Sequence, residues 1–178
     1  AINIAGTIAA TTGASTITLG DVDTAVAVTA TANVGGAATG LIDLGDATLA
    51  NGATLTVGTG IANAINLDAV TGTAGIPASN LTINTTGVVA VAEAVGTDIG
   101  TVLITQSGGT TFSSTVAAAQ LTITDTADAA TVATTARHSR AVGMTSRRPW
   151  RMVNSEKARC GPGAARLGRQ AYHKSSRC

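Results

Sequence analysis

The sequence predicts an all-β fold for residues 1–136, a β-solenoid of the parallel β-helix kind, followed by a mostly unstructured basic tail over 137–178. Three observations lead there. Short apolar–x–apolar runs recur through 1–136 and end at Gly, Asn, Asp or Thr, the period-two signature of half-buried strands closed by turns. No stretch holds a helical period with strong helix formers. The side chains are small: positions 1–136 hold 30 Thr and 17 Gly, and Phe112 is their one aromatic.

The strand runs follow in order. STITLGD carries Ile17 and Leu19, and AVAVTA carries Val26 and Val28. ATLTVG places Leu55 and Val57 on one side, NAINLD places Ile65 and Leu67, and SNLTINTTG places Leu81 and Ile83. VLITQSGG contributes Val102 and Ile104, and AQLTITD contributes Leu121 and Ile123. Runs start at 55, 81, 102 and 121, a spacing near the rung length of a solenoid. Runs starting at 17 and 26 are much closer together, at the spacing of a hairpin or sandwich. Asn51-Gly52, between Leu49 and Leu55, reads as a type I′ hairpin and predicts antiparallel pairing there. An antiparallel β-sandwich-like repeat is therefore the alternative architecture. Side-chain size favours the solenoid, whose narrow interior Val, Ile, Leu, Ala and Thr can fill. A sandwich core normally buries several large aromatics.

Disorder is a poorer reading of 1–136, because β-branched apolar residues recur, charge is sparse and Pro77 is the only proline. The apolar run VVAVAEAV is cut by Glu93 and is too short for a membrane span, and the aromatic girdles of a membrane barrel are missing. The chain starts at Ala1 with neither Met nor signal peptide, as a mature chain or a piece of a longer one would.

The net charge of +1 conceals a division. Positions 1–136 hold nine acids and no Lys or Arg, whereas 137–178 hold eleven bases and one acid, Glu156. Both His and both Cys also lie beyond 136. The long segment therefore lacks the groups for a Cys or His nucleophile–base pair, a nitrogen–sulfur zinc site or a Lys Schiff base. No enzyme activity and no cofactor are expected. Cysteines confined to the tail fit an extracellular protein that does not rely on disulfides.

Among candidate site residues, Asp21 and Asp23 lie two apart, as if projecting from one face of a strand, and Asp125 and Asp128 flank a turn. Carboxylates and loop carbonyls suit calcium, so these four are the metal candidates, although neither an EF-hand nor a GGxGxDx loop is present. Paired acids also raise glycoside hydrolysis. Without a Lys or Arg base, and with one aromatic, a solenoid carbohydrate-active enzyme is the weakest of the functional readings. Six Thr-x-Thr pairs, at 16/18, 29/31, 54/56, 71/73, 122/124 and 124/126, raise an ice-binding hydroxyl array. Their number is what the Thr content gives by chance and they sit in no fixed register, so no such array is expected. Two Asn-x-Thr sequons, at Asn80 and Asn84, also match chance.

With these residues in view, 1 to about 134 resembles the strand-repeat regions of large bacterial surface proteins, namely autotransporter passengers and filamentous-haemagglutinin-type adhesins. The segment GTVLITQSGGTTFSSTVAAAQLTITDTADAATV, residues 100–132, carries most of the likeness, supported by ATLANGATLTVGTG and ASNLTINTTG. The resemblance implies a secreted, elongated solenoid at the bacterial cell surface, structural or adhesive and without catalytic residues. The implied partners are cell-surface or matrix components, including glycans, and neighbouring repeats of a longer chain.

The tail breaks the pattern. Arg137, Arg140, Arg147, Arg148 and Arg151 surround Trp150, and Lys174 follows Tyr172. Three readings stand side by side: a basic tail that binds nucleic acid or an acidic surface, a small end-cap, and sequence read out of frame. Cys160 and Cys178 could close a loop, while His138 and His173 lie too far apart for a metal pair.

Overall fold

A computed structural model describes residues 1–21 and 23–124. The metal candidates Asp125 and Asp128, and every reading of the basic tail, lie outside the described residues. Within them there are fourteen strands and no helix, and every ladder is parallel. Strand length follows the alternation in the sequence: Ser79–Asn84 reads buried, half-buried, buried, half-buried along SNLTIN.

The chain winds through about five turns of a three-faced solenoid. Face one stacks β2 (Ile17–Leu19), β4 (Ile42–Leu44), β7 (Ile65–Leu67), β10 (Val89–Val91) and β13 (Thr110–Phe112). Faces two and three are continuous at the N-terminal end, where β1 (Ile2–Ala10) pairs along β3 (Val26–Gly36). The two then part. Val26–Val28 of β3 pairs with β5 (Ala47–Leu49), and face two continues through β8 (Val70–Gly72) and β11 (Val95–Gly96). Ala32–Val34 pairs instead with β6 (Thr54–Val57), and face three continues through β9 (Ser79–Asn84), β12 (Ile99–Gln106) and β14 (Gln120–Ile123).

Aliphatic side chains fill the interior in columns. On face three Ala32, Leu55, Leu81, Val102 and Leu121 stack, as do Val34, Val57, Ile83, Ile104 and Ile123. The run starts at 55, 81, 102 and 121 are thus one column read up the stack. Face one supplies Leu19, Leu44, Leu67 and Val91 beneath Phe112, whose side chain is 1% exposed. Each fully buried Leu or Ile contributes roughly 1.5–3 kcal/mol, and because each lies between neighbours above and below, that gain depends on the adjacent rung.

The antiparallel alternative is excluded. Ala50–Ala53 does turn, with Ala53 N donating to Ala50 O at 2.9 Å. Gly52 has φ of 72°, while Asn51 does not share the positive φ that a type I′ turn requires of both central residues. The bend resembles type II and leads from one face to the next. Pairing of β5 with β6 is also blocked, because β5 already lies between β3 and β8. The short interval between Ile17 and Val26 has the same origin: β2 and β3 are successive sides of one turn.

Candidate functional site

Between faces one and two the chain turns in very few residues. Only Gly45-Asp46 separates β4 from β5, and only Asp68-Ala69 separates β7 from β8. Such tight corners have no room for a bulky residue, and their outward positions take polar ones. Asp46, Asp68 and Glu93 consequently come together with Ala69 around a surface hollow of about 290 Å³. Asp46 Oδ1 accepts a hydrogen bond from Ala69 N at 3.2 Å, tying one turn to the next. Positions 1–124 contain no Lys, Arg or His, so no side-chain cation balances these acids among the described residues.

The sequence singled out different acids. Asp21 and Asp23 fall in the connection between β2 and β3, not on a strand. Asp21 Oδ1 accepts from Asp23 N at 3.0 Å, and Asp21 and Thr24 exchange backbone hydrogen bonds at 3.1 and 3.2 Å. That is an Asx turn, in which the carboxylate serves its own loop. No group of three or more His, Cys, Asp or Glu among the described residues is arranged to hold a metal ion. The acids that share a hollow come from three successive rungs, so their separation along the chain is set by rung length.

Face three is chemically the opposite. None of its strands from β6 onward, nor the Gly6–Ala10 and Ala32–Gly36 portions of β1 and β3, contains a charged residue. Its outward positions form columns. Thr7, Asn33, Thr56, Thr82, Leu103 and Thr122 occupy one. Thr54, Asn80, Thr101 and Gln120 occupy the next, two residues back along each strand. The Thr-x-Thr pairs themselves stay scattered, as expected: only Thr54 and Thr56 both lie in these columns, and the next rungs carry Asn80/Thr82, Thr101/Leu103 and Gln120/Thr122. The rungs differ in length, so the columns appear only when they are stacked. Asn80, read in the sequence as a chance sequon, accepts from Thr101 N at 3.1 Å through its Oδ1.

The corner between faces three and one is held by side chains that sequence reasoning passed over. Asn63, 2% exposed, donates from Nδ2 to Ala38 O and Gly40 O, each at 2.7 Å. One rung higher, Thr85 Oγ1 donates to Ile61 O at 2.8 Å and accepts from Gly87 N at 2.9 Å. Ser107 and Thr110 pair their hydroxyls at 3.0 Å in the next rung. The Asn63 contacts satisfy the carbonyls of Ala38 and Gly40, whereas Ile61 O also accepts from the backbone N–H groups of Asn63 and Thr86.

Among the described residues no helix is long and apolar enough to cross a membrane. Comparison with protein-family models, curated proteins and solved structures gives no match for this chain.

Proposed function

We propose that the chain is a non-enzymatic structural or adhesive segment of a secreted bacterial cell-surface protein. The observation that carries this reading is the unbroken stack of parallel rungs around one aliphatic column, from Ile4 to Ile123. Such a stack is a stiff rod that needs no cofactor to stand and repeats its outer surface every turn. Repetition makes weak polar contacts useful. A hydroxyl exchanging water for a partner gains little by itself, but many acting together gain avidity. The acids around the Asp46–Asp68–Glu93 hollow support the same reading, because they stand without the Lys or Arg base that a saccharide-cleaving solenoid would use.

Beads coated with the full chain test the proposal on arrays of glycans and matrix proteins. Retention that rises steeply with the density of chain on the bead, with no release of reducing sugar, is the expected result. Absence of retention on every surface, or turnover of any polysaccharide, overturns it.

A further inference from the structure

We infer that face three binds the surface of ice, through the aligned Thr and Asn side chains of its outward columns. The proposal stands on the geometry of this face and does not require the chain to belong to a surface protein.

Three properties lead to it. The first is periodicity in two directions. Adjacent parallel strands lie about 4.8 Å apart, and outward residues recur about every 6.7 Å along a strand. Thr54 and Thr56 on β6, and Asn80 and Thr82 on β9, therefore mark the corners of a near-rectangular cell, which Thr101 on β12 extends in one column and Thr122 on β14 in the other, beside Leu103 and Gln120. The prism plane of ice repeats at nearly these two distances. The second is rigidity. Thr is β-branched and has few χ1 states, and here each Thr sits on a strand hydrogen-bonded into a ladder, so its hydroxyl and methyl are placed before binding. The third is neutrality. The strands of the face carry no charge: Asp43 lies on face one, Asp46, Asp68 and Glu93 at the acidic corner, and Asp21 and Asp23 between β2 and β3, so that among the described residues only Asp98, just before β12, borders the face.

These properties also select among ligands. One hydroxyl gains little by trading bulk water for another polar partner. Only a partner that is itself periodic can engage the whole grid at once, and that describes a crystal surface better than a flexible chain. Crystalline polysaccharide is the rival. Sugar rings are commonly gripped by aromatic platforms, and the strands of face three carry none. Leu103 is the one apolar side chain in the Thr7–Thr122 column.

The full chain is assayed for inhibition of ice recrystallisation and for uptake into slowly growing ice, with albumin as reference. The wild-type chain should inhibit recrystallisation and enter the ice. Thr82→Arg, in the middle of the face, should lower both by about tenfold or more, while Asn66→Arg on face one leaves them unchanged. Circular dichroism establishes that each variant keeps its strands. Leu103→Thr completes the column and should raise inhibition, which keeps the proposal testable if Thr82→Arg fails to fold. Wild-type behaviour equal to albumin, equal losses in Thr82→Arg and Asn66→Arg, or binding to crystalline cellulose or chitin without any effect on ice would each overturn it.

Discussion

The acidic corner and face three are built from the same turns of the same chain, yet they carry opposite chemistry. At the corner a connection as short as Gly45-Asp46 or Asp68-Ala69 leaves no length for pairing, and carboxylates gather around a hollow. On face three the strands are longer, every second side chain is locked into the core, and the outward ones are aligned and uncharged. The contrast teaches that a solenoid separates two tasks. Its inward positions are dictated by packing, so they are aliphatic all round. Its outward positions are constrained only by local geometry, which lets one side be acidic and another neutral without cost to the core.

Substitutions can break that separation, and the largest effect is expected beneath face three. Leu81 is wholly buried between Leu55 and Val102. Leu81→Ala should cost about 2–5 kcal/mol through lost burial and a cavity, read as a fall in the urea midpoint. Asp68→Ala at the acidic corner should stay within about 0.5 kcal/mol. Equal effects at the two sites would mean that the interior does not carry the stability.

Next comes the corner clamp. Asn63→Ala removes two 2.7 Å hydrogen bonds and leaves the carbonyls of Ala38 and Gly40 unpaired, where Asn63 itself was buried. A loss of about 1–3 kcal/mol follows from the desolvation of those groups. Asn66→Ala, on the next strand and exposed, is the matched control and should be nearly silent. Gly58 tests the same corner through the backbone. Its φ is 87°, and an added Cβ would run into the carbonyl of Asn84. Gly58→Ala should therefore cost on the order of 1–3 kcal/mol, seen as a lower melting temperature.

How much of this could be read in the sequence differs between the two sides of a strand. The inward side was legible. Leu55, Leu81, Val102 and Leu121 announce their column, because burial selects aliphatic residues and strand alternation places them two by two. The outward side was not. Thr56, Thr82 and Thr122 share a column, but the step from Thr56 to Thr82 is longer than either of the two that lead on through Leu103 to Thr122. A search for fixed linear register therefore finds nothing, because loops of unequal length absorb the difference. Asn51-Gly52 misled for a related reason: the dipeptide reports that the chain turns, while the type of turn depends on which strands are free to pair. Asn63 gives no local signal at all, since its acceptors, Ala38 and Gly40, belong to the preceding rung. The acidic hollow was missed in the same way, as Asp46, Asp68 and Glu93 meet only across rungs.

The smallest effect sharpens the acidic side of the comparison. Asp68 shares the hollow with Asp46 and Glu93, so Asp68→Asn relieves like-charge repulsion. Stability should rise by a few tenths of a kcal/mol at low ionic strength, and the gain should fade in molar salt, where screening removes the repulsion from the wild type as well. A gain that persists in high salt would point to a cause other than charge.

The in-register stacking of unequal rungs underlies both the core and the aligned outer columns, and one distance tests it directly. Positions 1–136 contain no Cys, so spin labels can be placed at Thr7→Cys and Thr122→Cys after Cys160→Ser and Cys178→Ser are introduced. The two positions share a column, linked by the successive pairings Thr7–Asn33, Asn33–Thr56, Thr56–Thr82, Thr82–Leu103 and Leu103–Thr122. At about 4.8 Å per strand their backbones should lie roughly 24 Å apart. A single narrow electron–electron distance peak near that value is the expected result. A broad distribution, or a peak displaced by more than one or two strand spacings, would contradict the stacked register.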